Sequence, residues 1–407
     1  MNRLIFILLL FGSVGFFNYH NILPEAAIRA IICALIVMSL VMGLTERNSS
    51  LRDVNYPRAL YWGVIGLMLF SIPVGTIFSG QPMLVSIKTS IAYILTYLYF
   101  YALMRQRIAP SMMLRWIGAF CVCSCIVYFV NAKTFPYNIF GEPLLDDFSR
   151  GIPRIPVVGM ELMLLLMFYA IGRWQDDNKI KWWAIIATVM IMAVLSVVRQ
   201  VIALSLLLGL WMLMRRYTLG KKLLVVAVVA IGAAIIVPRL PMYKAMTELT
   251  EDQADDNANK KEDIRITAWR YYTYEQWDNP MVMLFGHSVP SFAGDSDYGN
   301  RVQAEIEINK CYAFDVGWAG FSHYFGVLGA FLLLLMFIVT IMHCRHYQSK
   351  EYLVFWFSYI IITSIASAPI MYHQPVLYIA IGLYLAYCPE DDLHYDSEHY
   401  YEPQLTD

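Results

Sequence analysis

Residues 185–214 read IIATVMIMAVLSVVRQVIALSLLLGLWMLM, and the one ionisable side chain among them is Arg199, with Gln200 beside it. A surface helix of a soluble protein keeps a polar face at the helical period, and no such face exists here. Arg199 and Gln200 instead divide the stretch into two apolar runs, 182–198 and 201–214, which read as a pair of membrane helices joined by a tight turn. An unpaired arginine well inside hydrocarbon costs at least roughly 2.5 to 3.5 kcal/mol, so its position needs a cause. In one reading the guanidinium snorkels from the hairpin to the headgroups. In the other it stands at the outer mouth of a helix bundle, where its planar fork grips a phosphate through two hydrogen bonds.

Outward from this stretch the pattern repeats. Apolar runs fall at 4–17, 27–43, 60–78, 84–103, 114–130 and 155–171 before it, and at 223–237, 318–342, 352–368 and 375–387 after it. The chain is 59% hydrophobic and only 15% charged, against roughly 25% charged in a soluble domain. The expectation is an all-α, polytopic membrane helix bundle of about twelve transmembrane helices. Some runs are short enough to need interfacial anchoring or a thinned bilayer. The first run begins like a signal peptide, with Arg3, but no small-residue cleavage site ends it, which predicts a retained helix.

Charge and cysteine content narrow the functional classes. A net charge of −1 provides no global basic field for nucleic acid. Of seven cysteines, Cys311 alone falls in a long loop, so no disulfide framework can be built there. Cys121, Cys123 and Cys125 alternate around a helix without a fourth ligand, which points to helix packing, not to a metal.

Orientation follows from the basic residues. With the amino terminus in the cytoplasm, the short cytoplasmic connections collect Arg3, Arg47, Arg52, Arg58, Arg105, Arg107, Arg115, Arg173, Lys179, Lys181, Arg215, Arg216, Lys221, Lys222, Arg345 and Lys350. The opposite short connections hold Arg29, Lys88 and Arg199. Sixteen against three is a positive-inside bias that places both termini in the cytoplasm. The chain then divides into an amino-terminal bundle (1–237, about nine helices), a large extracytoplasmic loop (238–316), a carboxy-terminal group of about three helices (317–388) and an acidic, solvated tail (389–407). Within the loop, 248–263 is polar and acidic. The stretch 264–277 carries Ile, Trp and Tyr at helical spacing and reads as an amphipathic helix at the membrane surface.

Candidate chemistry gathers on the outer side. Arg265 and Trp269 are four apart and share a helical face, with Arg270 adjacent, and a turn from Asn279–Pro280 to Gly286–His287 follows. These residues fit either ligand binding or an aromatic belt with headgroup contacts. Asp315, where the loop re-enters the membrane, is either a helix cap or a general base toward a hydroxyl. His323 follows on roughly the same face. Arg150 and Arg154, flanking Gly151 in the other outer segment, are either phosphate or sugar contacts or headgroup anchors.

Taken in order, these elements resemble the O-antigen ligase and polymerase superfamily of bacterial integral membrane glycosyltransferases. The resemblance runs from about 182 to 342. It rests on Ser196 and Arg199 between two helices, on Arg265, Trp269, Pro280 and Gly286 in the long loop, and on Asp315 ahead of Gly326, Val327, Leu328 and Gly329. Ser196 stands three residues before Arg199 where the family pattern has them adjacent, and Ser288 stands where the family has a second glycine. The resemblance implies transfer of glycan from an undecaprenyl pyrophosphate carrier to a sugar hydroxyl at the outer face of the inner membrane, without cofactor or obligatory metal. Read together with the residues above, Asp315, Arg199 and Arg265 are the candidates for catalysis, and Arg150, Arg154, Trp269, Arg270, His287 and His323 the candidates for substrate binding. Its partners are the lipid-linked oligosaccharide, the acceptor glycan, the bilayer, and a chain-length regulator or export proteins. Ligases of the family carry His where Asp315 stands, which inclines the expectation toward a polymerase. The alternatives are a ligase, a secondary transporter or flippase of lipid-linked glycans, and a non-catalytic assembly subunit. Transporters tend to show two similar halves, and no internal repeat is visible here.

Overall fold

A computed structural model of the chain describes residues 2–13, 25–45, 56–135, 157–196, 198–216, 263–277 and 279–388, with positions 137, 139, 140, 155, 218 and 220. Every regular element among them is helical. In order these are α1 (Asn2–Gly12), α2 (Glu25–Thr45), α3 (Arg58–Ser79), α4 (Met83–Gln106), α5 (Pro110–Thr134), α6 (Met160–Asp177), α7 (Ile180–Leu195) and α8 (Arg199–Arg215). Across the long connection follow α9 (Ile264–Arg270), a π-helical turn (Tyr271–Glu275), α10 (Pro280–Phe285), α11 (Asp297–Asn309) and a 3₁₀ turn (Ala313–Asp315). The chain closes with α12 (Gly317–Cys344), α13 (Glu351–Thr363) and α14 (His373–Tyr387). The apolar run at 223–237, the acidic stretch up to 262, the tail 389–407 and both Arg150 and Arg154 lie outside the described residues.

Local chemistry sets the helix ends. Gly80, at φ 76°, stops α3, and Pro82 precedes α4, so the reversal between them is three residues long. Pro110 opens α5 at its first position, where a missing N–H costs nothing. Asn178, at φ 53°, ends α6 and returns its N–H to the Trp174 carbonyl.

Among the described residues five helices, α2, α3, α4, α5 and α12, are long and apolar enough to cross a membrane. Their outward faces carry exposed Leu69, Ile77, Val122, Ile126, Phe129 and Phe331, apolar side chains of the kind a bilayer covers. Inside, α12 packs along α3, α4 lies between α2 and α14, and α6 is enclosed by α7, α8 and α13. The carboxy-terminal helices are therefore threaded into the amino-terminal bundle and do not form a separate unit.

The helices alternate in direction, which gives the bundle two unlike ends. At one, α4 turns into α5, α6 into α7 and α12 into α13, and Arg105, Arg107, Arg115, Arg173, Lys179, Lys181, Arg215, Arg216, Arg345 and Lys350 gather there. We call this the basic end. At the other, α3 turns into α4 and α7 into α8, and α9 to α11 lie against it. We call this the loop end.

Candidate functional site

The loop end is built around a segment that enters the bundle. Asn279 caps α10 by accepting the Met281 N–H at 2.8 Å, and Gly286 ends that helix at φ 88°, ψ 168°. From Gly286 the chain runs between α3, α4 and α12. A Cβ on Gly75 of α3 would collide with the His287 carbonyl, and one on Gly286 with the Tyr324 carbonyl.

The segment can enter because α12 breaks to receive it. Gly326 adopts φ 81°, ψ 160°, which interrupts the helix and frees the carbonyls of the preceding turn. The His287 N–H donates to the His323 carbonyl and the Ser288 N–H to the Tyr324 carbonyl, each at 2.9 Å. Buried backbone groups are almost always paired, and here a neighbouring segment replaces the missing helical donors.

Neutral side chains then secure the segment. Gln81, fully buried in the α3–α4 turn, directs the two hydrogens of Nε2 at the Val289 carbonyl (2.9 Å) and at the neighbouring hydroxyls of Ser86 (3.0 Å) and Ser288 (3.2 Å). Its Oε1 accepts from the Ser291 N–H and the Ser296 hydroxyl, both at 3.1 Å. Thr89 donates to the Val289 carbonyl at 2.6 Å, and Ser90 accepts the Val289 N–H at 3.3 Å.

His287 and His323 meet at this insertion, with ring centroids 4.4 Å apart. His287 Nε2 faces the Gln276 carbonyl at 2.9 Å and Nδ1 faces Ser79 Oγ at 2.7 Å. A carbonyl only accepts, so Nε2 carries the proton and Nδ1 takes the Ser79 hydroxyl. Burial, reinforced by the positive charge of Arg301, pushes the His287 imidazole down to about 4, so it is neutral near pH 7. His323 Nε2 pairs with the Tyr298 hydroxyl at 2.8 Å, Tyr298 stacks on His287 at 5.1 Å, and the edge of Tyr272 meets His323 at 5.0 Å. His323, Tyr298 and Tyr272 are fully buried and His287 nearly so, which makes this pair a pin between loop and bundle in the arrangement observed.

The other candidates stand around the carboxy-terminal end of α13. Arg199 is exposed as the first residue of α8, and Gln200 beside it donates to the Thr363 carbonyl at 3.0 Å. Trp269, one turn beyond Arg265, donates its indole N–H to the Ile365 carbonyl at 3.0 Å, while Arg265 and Arg270 are exposed on either side. Trp318 donates to the Ile361 carbonyl at 3.0 Å, and the Gly317 and Trp318 N–H groups reach Ser367 and Ser364. Gln200 and the Trp318 indole thus reach the last turn of α13, whose carbonyls lack helical donors, and Trp269 with the Gly317 and Trp318 N–H groups reaches the turn that follows it.

Asp315 is half-buried in the 3₁₀ turn that packs against α9. The cap position of α12 belongs to Val316, one residue on. Residues of α8, α9 and α12 thus meet around residues 361–367, with Asp315 in the turn that leads into α12, whereas the two histidines belong to the neighbouring insertion.

Sequence reasoning overlooked Gln81, Ser79, Ser86, Ser90, Ser288 and Tyr298. Gly75 with Ser79 and Ser86 with Ser90 are small residues four apart on facing helices, the spacing that lets another backbone come close. No protein-family model matches this chain, and no curated protein does either.

Proposed function

We propose that the chain is a polymerase-type membrane glycosyltransferase, moving a glycan from an undecaprenyl pyrophosphate carrier to a sugar hydroxyl at the outer face of a bacterial inner membrane. The observation that carries this reading is the common docking of α8, which begins at Arg199, of α9, which carries Arg265, and of α12, which follows Asp315, on the end of α13 and the turn after it. Arg199 and Arg265 hold the pyrophosphate and neutralise charge as it departs, and Asp315 takes the proton of the attacking hydroxyl. Trp269 and Arg270 line the sugar path. The excess of Lys and Arg at the basic end supports placing that end, and both termini, in the cytoplasm, with about twelve spans in all.

The test is incubation of purified protein with a lipid-linked repeat unit as the sole substrate. A ladder of longer lipid-linked products is expected. Transfer only on addition of a different acceptor would make it a ligase, and no transfer with either would sink the enzyme reading. Asp315→Asn is expected to keep donor affinity and lose turnover by about 10²- to 10⁴-fold. Arg199→Lys should be nearly as damaging as Arg199→Ala, because a point charge cannot reproduce the two-bond grip. The break in α12 favours one second reading, since transporters bind substrate at interrupted helices. Movement of labelled lipid-linked glycan across proteoliposomes without chain growth would establish it.

A further inference from the structure

The apolar run 155–171 contains one acid, Glu161, and no Lys, Arg or His. An acid inside a membrane bundle is expensive and marks a candidate site in its own right. Glu161 lies in the first turn of α6, which Gly159 opens at φ 70°. Residues 157–159 ahead of it are not helical, and irregular backbone at membrane depth occurs where protein encloses it or a polar cavity adjoins it.

The neighbours fix the depth. A Cβ on Gly159 would collide with the ring of Phe120, and Phe120 stands ten residues beyond Pro110 at the start of α5. That is about 15 Å at the helical rise, half of a hydrocarbon core ~30 Å thick. The same Cβ would lie 3.5 Å from the Tyr378 hydroxyl of α14. From α13 the Trp356 indole donates to the Glu161 carbonyl at 2.8 Å, and the Tyr359 hydroxyl lies within electrostatic reach of the Glu161 carboxyl.

Protein surrounds Glu161 on every side, yet the residue keeps partial exposure while residues 162–168 beyond it are buried. Its carboxyl therefore borders a recess within the bundle. The ionisable groups facing this turn are two phenols, Tyr359 and Tyr378. Among the described residues of α5, α7, α8, α13 and α14, no Lys, Arg or His acts on the carboxyl, and the hydrogen bond it accepts comes from its own backbone N–H. An ionised carboxylate in such surroundings lacks the counter-charge that would offset its desolvation. A hard metal cation takes about six oxygen ligands, more than one carboxyl and two phenols supply, and no group of three metal-ligating side chains stands together among the described residues.

We propose that Glu161 is a proton-binding site within the bundle: its carboxyl holds a proton in the arrangement observed and exchanges it through the recess it borders. The proposal rests on neither glycosyl transfer nor transport and serves either one. A proton released by an attacking hydroxyl, or carried along with a substrate, needs a group inside the bundle that can take it up.

Infrared spectroscopy of the full-length protein in lipid nanodiscs tests this without a substrate. At pH 7 the protein should show the C=O stretch of a protonated carboxyl, and Glu161→Gln, which keeps the shape, should remove that band. In D2O the band should shift as the proton is replaced by a deuteron. Absence of the band at pH 7, or its persistence in Glu161→Gln, would overturn the proposal. A band that stays unshifted in D2O would make Glu161 a sealed structural acid and overturn it equally. A hydrophobic carbodiimide, which attacks protonated carboxyls in apolar surroundings, provides a measurement that needs no variant. Its adduct should map to Glu161 at pH 7 and fade at alkaline pH, whereas labelling confined to exposed acids such as Asp295 and Glu307 would count against the site.

Discussion

At the basic end the helices are tied by charge. Arg215 meets Glu351 at 2.7 Å, Arg216 meets Asp176 at 2.8 Å and Glu351 at 3.2 Å, and Lys350 closes on the carbonyls of Ala386 and Cys388. At the loop end the inserted segment 286–291 is held, among the described residues, by neutral groups: one glutamine, a set of serines and threonines, and two histidines. The arginines of these pairs lie at the boundary of the bundle, while Glu351 and Lys350 beside them are buried and fully engaged. Ion pairs with side chains 28% to 45% exposed on the arginine side remain in contact with water or headgroups, where each contributes about 1 kcal/mol or less. A backbone segment drawn between helices is dry, and a charge there would carry a desolvation cost that amides and hydroxyls avoid. The loop end is accordingly the end where single changes should cost most.

The largest effect is expected at the break in α12. A methyl group at Gly326 would overlap the Leu284 carbonyl and force alanine to a φ of 81°, so Gly326→Ala should destabilise by on the order of 3–5 kcal/mol. Thermal melting in detergent, with Gly66→Ala as a control whose added methyl meets nothing, measures this; equal melting of the two variants would show that α12 can straighten. Next comes Gln81→Leu, which keeps the shape but orphans the Ser291 N–H and the Ser296 hydroxyl. It should cost about 2–4 kcal/mol and accelerate hydrogen exchange across 288–296.

Acid should open the same end. His287 protonates near 6.5 in an unfolded chain but only at about 4 in the folded one, so its contribution is complete above pH 6.5 and is lost as the pH falls toward 4. That amounts to about 3 kcal/mol, read as a falling melting temperature over this interval, and a His287→Gln variant with the same slope would assign it elsewhere. The smallest effect belongs to the basic end. Glu351→Gln should cost about 1 kcal/mol, fading in high salt. A loss as large as that of Gln81→Leu would erase the contrast between the two ends.

Much of the bundle was legible because hydropathy records burial in lipid directly. The runs at 60–78, 84–103 and 114–130 fall inside α3, α4 and α5, and the Arg199–Gln200 pair marks the start of α8. The run at 318–342 read as one continuous span, since hydropathy does not distinguish a glycine that continues a helix from one that breaks it. The insertion of 286–291 was invisible for a related reason: small residues that admit a backbone score as neutral. Arg265 and Trp269 were legible as a shared face, but their seat on α13 was not, because helix-end carbonyls are the same for every sequence.

The interruption at Gly326 also bears on how the protein is made. A polar backbone group left unpaired in hydrocarbon costs several kcal/mol, and α12 carries two acceptors, on His323 and Tyr324, that it cannot satisfy alone. Their donors, His287 and Ser288, belong to the connection that precedes α12, so the two acceptors are satisfied once that connection has reached the loop end. Seating of α12 is thereby conditional on correct delivery of the long connection, which gives the cell's quality-control machinery a single point at which a misrouted chain reveals itself.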